Sequence, residues 1–473
     1  MKILFAASEA SPFVKTGGLA DVAGSLPNAL SKAGEDVCVI LPLYSAIDTK
    51  WRNQMSFCFY TFINLSWRRE YCGVFRLDYD SVTYYFLDNE NYFKRDGIYG
   101  FMDDGERFGF FSRAIVELIP LLNFTPDVIH CNDWQTALVP IYLSYESPVA
   151  LKNIKSVFTI HNIEYQGRFS PDTAQDVFGL PEDLYESGMM RYDNDIDLMK
   201  GAIYKADYIT TVSPSYADEL SKPEHAHGLH IAVKDNSYKF RGILNGIDTG
   251  RYNPQTDPYI EKNYSADNIE GKSLCKVSLC RELGLSETSN EPIISCISRL
   301  VGHKGFDLIT EALDRIVEKG TRLVILGTGE SQFESFFRDA ENRYKGRVSS
   351  NIMYSESRAM RIYSGADILL MPSRSEPCGL AQMIAMRYGT IPIVREVGGL
   401  KDTVHSLGTE GENGFSFFEY SPDCLSNTID HALQTFYREP NTWEELMFTG
   451  MTAKLNWDVS AEKYIEIYKN ISS

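Results

Sequence analysis

Lys15-Thr16-Gly17-Gly18-Leu19-Ala20-Asp21-Val22 follows an apolar run from Ile3 to Ala7. The stretch reads as a strand, a two-glycine turn and a helix opening. Such a turn lets backbone N–H groups approach an anion at the positive end of the helix dipole. The same signature recurs far along the chain as Gly398-Gly399-Leu400-Lys401-Asp402-Thr403-Val404, behind the apolar run Ile391 to Val394. Two such turns in separate halves predict two nucleotide-binding-type domains that share one ligand.

Working outward, residues 2–7, 36–41, 127–131, 156–160 and 208–212 are short and apolar or β-branched, the pattern of buried parallel strands. Helical stretches at 18–32, 106–122, 134–143 and 195–205 separate them. Between 56 and 87 an alternating aromatic pattern predicts inserted antiparallel strands (Phe57, Phe59, Tyr71, Phe75, Tyr84, Phe86). The second half repeats the rhythm, with strands at 293–297, 322–326, 348–353, 368–371 and 390–394. Its helices fall at 304–318, 332–343, 355–364, 380–388 and 422–436. The fold class is α/β, two doubly wound Rossmann-like domains facing a deep cleft. The expected division is 1–244 for the first domain, 245–267 for a polar hinge and 268–456 for the second domain. Residues 457–473 place Tyr464, Ile467, Tyr468 and Ile471 on one helical face, expected to cross back to the first domain.

The 473-residue length suits two or three cores rather than one. A formal net charge of −18 argues against nucleic acid and anionic membranes, which reward a basic face. A phosphate-bearing ligand then requires local Lys and Arg residues. The 28 Tyr and 26 Phe would suit sugar-stacking walls, although such residues more often form core. No stretch approaches the roughly 20 apolar residues of a membrane span. Glu9 interrupts an amino-terminal run too short for a signal peptide. Nine scattered Cys without a CxxC pair suit reduced thiols, and a cytoplasmic location is expected.

The candidate chemistry lies at the carboxyl ends of strands, where α/β folds bind ligands. Lys15 precedes the first glycine pair and suits a phosphate or sugar phosphate; a solvated lysine at a helix start is the plainer alternative. Arg299 and Lys304 flank a Gly302/Gly305 loop, a planar donor and a compact charge fit for a diphosphate. Glu376, in Glu376-Pro377-Cys378-Gly379-Leu380, can hold sugar hydroxyls and balance charge at an anomeric carbon, or merely stabilise a helix dipole. His161-Asn162 and Asp133-Trp134 end strands at the same edge, and Asn245 offers a hinge turn or a hydroxyl contact. His225, His227 and His230 lack a spaced carboxylate or cysteine to complete a metal site, so no metal is expected. Gly327-Thr328-Gly329 lacks the third glycine of a dinucleotide fingerprint, which falls at Gln332, and no P-loop occurs.

In this order, Lys15 to Val22, His161-Asn162, Asn245-Gly246-Ile247-Asp248, Ser298-Arg299-Leu300, Lys304-Gly305, Pro372-Ser373-Arg374, Glu376 to Leu380 and Gly398-Gly399-Leu400 resemble bacterial glycogen synthases and plant starch synthases. The resemblance spans essentially the whole chain. It implies a GT-B fold and transfer of glucose from ADP-glucose to the non-reducing end of an α-1,4-glucan, with retention and without metal or cofactor. It places Lys15, Gly17, Gly18, Asp21 and the Gly398-Gly399-Leu400 loop at the donor, and Arg299 and Lys304 at the diphosphate. Glu376 and His161 fall at the reacting glucose, and Tyr92 beside the nucleotide. Asp133, Asn162, Asn245, Cys378, Gly379 and Leu380 complete the substrate contacts. Ala381 stands where the family carries threonine, and Ile384 where the wider group often has a second glutamate. A UDP-glucose enzyme, a non-catalytic glucan-binding protein of the same fold and a dehydrogenase are the alternatives; oligomeric state is not legible.

Overall fold

A computed structural model describes residues 1–145, 151–286 and 290–473. The described chain divides into two compact units, Met1–Gly246 with Trp457–Ser473, and Ile247–Asn456.

The first unit is built on a nine-stranded sheet. Its strands are β1 (Lys2–Ala6), β2 (Asp36–Pro42), β3 (Ser56–Leu65), β4 (Arg68–Tyr79), β5 (Val82–Asp88), β6 (Val128–Asn132), β7 (Lys155–Ile160), β11 (Tyr208–Thr211) and β12 (Phe240–Gly242). The short strands β8 (Arg168–Phe169), β9 (Arg191–Tyr192) and β10 (Asp195–Asp197) form a separate small sheet. The spatial order of the large sheet is β12-β11-β7-β6-β1-β2-β5-β4-β3. From β12 to β5 every pair is parallel; β4 and β3 add on antiparallel. The aromatic stretch between 56 and 87 is therefore an extension of the main sheet rather than an insertion beside it. Ile3, Leu4, Phe5 and Ala6 in β1 are fully buried, as a central parallel strand covered on both faces requires.

Local chemistry explains where the elements depart from the expected bounds. The helix Asp104–Leu118 stops short of 122 because Pro120 has no N–H to continue the hydrogen-bond ladder. Residues 195–197 are strand, since Asp197 caps the following helix Leu198–Lys205 by accepting from Lys200 N (2.8 Å). The stretch 134–143 opens as a single 3₁₀ turn, Trp134–Thr136, before the helix Leu138–Tyr145.

The second unit holds six parallel strands: β13 (Ile293–Ile297), β14 (Arg322–Leu326), β15 (Val348–Asn351), β16 (Ile368–Met371), β17 (Ile391–Arg395) and β18 (Phe415–Phe417). Their order, β15-β14-β13-β16-β17-β18, is the doubly wound 3-2-1-4-5-6 arrangement. Two buried clusters pack it, one from Ile294 through Phe306, Phe337 and Ile391 to Trp443, the other around Leu279, Ile293, Val324, Leu326 and Ile362. Residues 247–267, where a hinge was expected, belong to this unit: Tyr264 donates its hydroxyl to Tyr388 O (2.7 Å).

The terminal helix Asp458–Ser472 belongs to the first unit and packs on the helix Gly18–Lys32. Tyr468 Oη lies 2.7 Å from Nδ1 of His130 in β6, whose Nε2 meets Thr159 Oγ1 at 2.6 Å. Burial holds this imidazole neutral, pushing its pKa down to about 3. Tyr468→Phe leaves the buried Nδ1 unpaired and should cost about 1–3 kcal/mol, read as a lower midpoint in urea unfolding.

Candidate active site

In the first unit the strand order reverses at β1, so the loops after β1 and β6 flank the topological switch point. The loop from Ala7 to Gly17 is stapled down: Ser11 N donates to Ala20 O (2.9 Å), while Phe13 and Val14 N both donate to Ala10 O (3.0 Å). Glu9, buried at 2% exposure, accepts from Thr16 N (2.6 Å) and Thr16 Oγ1 (2.8 Å). Nothing in the sequence reading gave Glu9 this role. Its signal was a carboxylate inside an apolar run. Burial pushes its pKa up to about 7 against the Thr16 hydrogen bonds, with Asp21 raising it and Lys15 lowering it by charge.

Lys15 is exposed and its Nζ donates to Asp21 Oδ1 at 2.7 Å. Gly17 is the N-cap of the helix Gly18–Lys32 in extended backbone (φ −153°), and a Cβ on Gly18 would meet no heavy atom within 4 Å. Neither residue is glycine for the sake of internal packing. The space beside Gly18 is open.

Across the switch point, Asp133 has φ +56° and ψ −178°, a backbone that costs a side-chain-bearing residue about 1–3 kcal/mol. Its Oδ1 accepts from His161 N (2.7 Å) and Asn162 N (3.4 Å), tying the ends of β6 and β7 together. Burial raises the Asp133 carboxyl to about 7 despite these amides. Asn132 Nδ2 donates to Ala6 O (2.9 Å), so its Oδ1 faces His161 and accepts from Nε2 (2.8 Å). His161 is thereby fixed as the Nε2–H tautomer, and burial keeps it neutral with a pKa near 3. Asn162 closes a local turn by accepting from Glu164 N (3.0 Å).

Two further expected residues of this unit are buried. Tyr92, expected beside a nucleotide, is 1% exposed; its hydroxyl donates to Glu106 Oε1 (2.6 Å) and its ring packs on Phe110. It is a core side chain. Asn245 is buried near the end of the unit, with an Oδ1 that has no partner among the described residues.

In the second unit the order reverses between β13 and β16, and the loops after these strands touch. Gly305 has φ +81°, and a Cβ there would lie 2.1 Å from Pro372 O; Arg374 N donates to His303 O at 2.8 Å. The helix expected from 304 therefore starts at Phe306, after a 3₁₀ turn over Gly302–Lys304. The contact brings Lys304 to Glu376: Nζ donates to Oε2 at 2.7 Å, and Ser373 Oγ donates to the same oxygen at 3.2 Å. Both charged side chains are largely buried. Arg299 is exposed and makes no ion pair among the described residues.

The second glycine pair differs from the first. Gly398 has φ +44° with a would-be Cβ 2.0 Å from Glu376 O, and one on Gly399 would lie 2.3 Å from Cys378 O. Gly399 N donates to Glu376 O and Pro377 O (both 3.2 Å), and Leu400 N to Val397 O (3.0 Å). Those amides, expected to face an anion, are taken within the unit. The pair is a packing device that presses the Glu376–Leu380 turn into place. Gln382, fully buried and unforeseen, completes the clasp: its Nε2 donates to Cys378 O, Gly379 O and Thr403 Oγ1 at 3.0–3.1 Å. Gly379 takes φ +72°, Cys378 is a buried thiol, and Leu380 caps the helix Ala381–Arg387, so Ala381 is its first residue. Gly327 and Gly329 likewise serve close approach, to Ser298 O and Leu300 O. Among the described residues no group of three or more His, Cys, Asp or Glu side chains could hold a metal ion.

Residues 2–235 match the starch synthase catalytic domain family, and residues 284–443 match glycosyl transferases group 1. Over its full length the chain is 46% identical to a glycogen synthase of Clostridium perfringens and 44% to one of Clostridium beijerinckii, spanning 98% and 99% of them. The chain belongs to the glycogen synthase family. Glycogen synthases of this family are glycosyltransferases, and the structural likenesses agree. The catalytic domain of starch synthase IV from Arabidopsis thaliana, bound to ADP and acarbose, matches with a TM-score of 0.92 at 33% identity, covering 100% of this chain and 99% of that one. Sucrose-phosphate synthase from Thermosynechococcus elongatus (TM-score 0.62, 18% identity, 99% and 98% covered) shares the GT-B fold alone. No helix of the described chain is long and apolar enough to cross a membrane.

Three predictions follow the geometry. A carboxyl raised in the folded state stabilises it most below its ordinary pKa and loses that contribution as pH rises through the folded value. Parent protein should thus lose up to about 3 kcal/mol relative to Glu9→Gln between pH 4.5 and 7. Melting temperatures across that range check it; a constant offset between the two proteins would contradict it. Gly398→Ala should lose about 3 kcal/mol or more of stability through clash and strain. Gly18→Ala should melt at the parent temperature yet lose roughly hundredfold in turnover through misplacing a bound group.

Proposed function

We propose that this glycogen synthase family member transfers glucose from ADP-glucose to the non-reducing end of an α-1,4-glucan, with retention and without a metal ion, elongating glycogen in the cytoplasm. The observation that carries the reading is the Lys304–Glu376 pair beside exposed Arg299 at the switch point of the second unit. Its supports are the full-length identity to glycogen synthases and the ADP held by the starch synthase IV neighbour.

In this reading Arg299 and Lys304 hold the diphosphate as it leaves. An anion that draws Lys304 Nζ to itself releases Glu376 Oε2, and the freed carboxylate accepts glucose hydroxyls beside the reacting carbon. Lys15 and the open Gly17-Gly18 turn add donor contacts from the first unit. Charge developing at the anomeric carbon is met by the Glu376 carboxylate and by the carbonyl of His161, whose neutral ring adds no opposing charge. Asp133, with its backbone strained and its carboxylate bonded to the His161 and Asn162 amides, fixes that carbonyl's position. The departing phosphate assists acceptor attack on the same face.

Lys304→Ala and Arg299→Ala should each lose roughly a hundredfold in turnover, about 3 kcal/mol of transition-state stabilisation. Glucan elongation assayed with ADP-glucose and UDP-glucose side by side is the deciding experiment. Faster incorporation from ADP-glucose, retained in EDTA, is expected. Preference for UDP-glucose would move the chain to the related donor class, and no incorporation from either would leave a glucan-binding protein.

A further inference from the structure

Asn132 ends β6 fully buried, and both ends of its side-chain amide are committed. Nδ2 donates to Ala6 O of β1 (2.9 Å) and to His130 O (3.3 Å). The backbone is pinned as well: Asn132 N donates to Thr136 Oγ1 (2.6 Å), and that hydroxyl donates to Asn132 O (2.9 Å). Turning the amide over would set Oδ1 against two carbonyl oxygens, so the strands themselves dictate its orientation. Oδ1 is an acceptor only, and it faces Nε2 of His161 at 2.8 Å. An amide oxygen has no proton to give. The ring proton of His161 therefore sits on Nε2.

A neutral imidazole carries one N–H, so Nδ1 is left as a bare lone pair. It has no hydrogen-bond partner among the described residues, and it is not sealed from solvent although His161 as a whole is only 9% exposed. The titratable side chains near the ring are Asp133, which bonds the His161 amide, and His130, whose nitrogens are taken by Tyr468 and Thr159. Neither bonds Nδ1. A lone pair held in this way accepts from a hydroxyl and repels a phosphate or carboxylate oxygen, whereas a ring with its proton on Nδ1 would donate to either anion.

We propose that Asn132 is a positioning residue for the transfer: by engaging the Nε2 proton it presents the His161 ring as an acceptor only, suited to a neutral hydroxyl of the donor sugar and closed to an anionic group. That a sugar lies at this ring rests on the proposed function. Asn132 itself touches no substrate; it acts through the tautomer it selects.

The test follows the ring nitrogens by nitrogen-15 NMR in the full chain labelled at histidine, with the His161 signals identified by their loss in His161→Gln. The parent should show a protonated Nε2 and a bare Nδ1. ADP-glucose without glucan should move the Nδ1 signal upfield as it gains a hydrogen bond, and ADP alone should leave it in place. UDP-glucose and UDP are titrated in parallel; a shift with UDP-glucose alone keeps the contact and changes the donor. Asn132→Leu removes the acceptor, and the proton should pass to Nδ1, because a buried N–H without a partner is costly. That variant should lose roughly tenfold or more in kcat with little change in Kd for ADP. A merely structural role would lower the melting temperature without switching the tautomer. A parent protonated at Nδ1 would overturn the proposal, as would an Nδ1 signal that no nucleotide sugar moves or that the bare nucleotide moves equally. So would an Asn132→Leu protein with a switched tautomer and unchanged turnover. Should that variant fail to fold, the parent titration decides alone. A parent whose Nδ1 responds to a nucleotide sugar yet transfers no glucose would keep the contact and remove the transfer reading.

Discussion

The passage of Gly305 against the Pro372 carbonyl is the constraint on which the second unit's chemistry depends. The two loops at the switch point come from strands far apart in sequence, and only a residue without a side chain lets them meet. Once they meet, Lys304 and Glu376 are within hydrogen-bond distance, and Ser373 fixes the carboxylate from a second direction. Gly398, Gly399 and Gln382 then press the Glu376–Leu380 turn from behind. The acid is placed by packing rather than by its own flexibility.

An acidic protein that handles a diphosphate faces a field of the wrong sign. Here the cations are not simply gathered. Lys15 is bonded to Asp21 and Lys304 to Glu376, while Arg299 stands in solvent. Paired cations hold their side chains in place at little cost in mutual repulsion, and in the proposed function an incoming anion would exchange one partner for another. The first unit follows a related logic with protons. Glu9 and Asp133, both raised toward neutrality by burial, keep negative charge low next to the Lys15 turn.

The alternating strand and helix pattern was legible because buried parallel strands are continuous apolar runs, and both large sheets follow from it except for their three-residue edge strands β12 and β18. Helix ends were harder: Pro120, the Asp197 cap and the φ of Gly305 each shift a boundary through one residue's backbone. The two glycine pairs looked alike in sequence. One is open and the other is jammed against backbone, a difference set by tertiary neighbours that no local pattern records. The burial of Tyr92 was not legible for the same reason, since an aromatic in a short helix carries no mark of which way it faces. Glu9 and Gln382 were missed because their roles are hydrogen bonds to a loop, and such roles leave no spacing signature.

The return of the helix Asp458–Ser472 to the first unit has a consequence for biosynthesis. The Nδ1 of His130, deep in β6, is met by the hydroxyl of Tyr468, so the first unit lacks a piece of its interior until residue 468 has been made. The unit encoded in the middle of the chain, Ile247–Asn456, contains all of its own strands and is synthesised before the segment that completes the first unit. The order of completion is therefore inside out: the half made first is the half finished last.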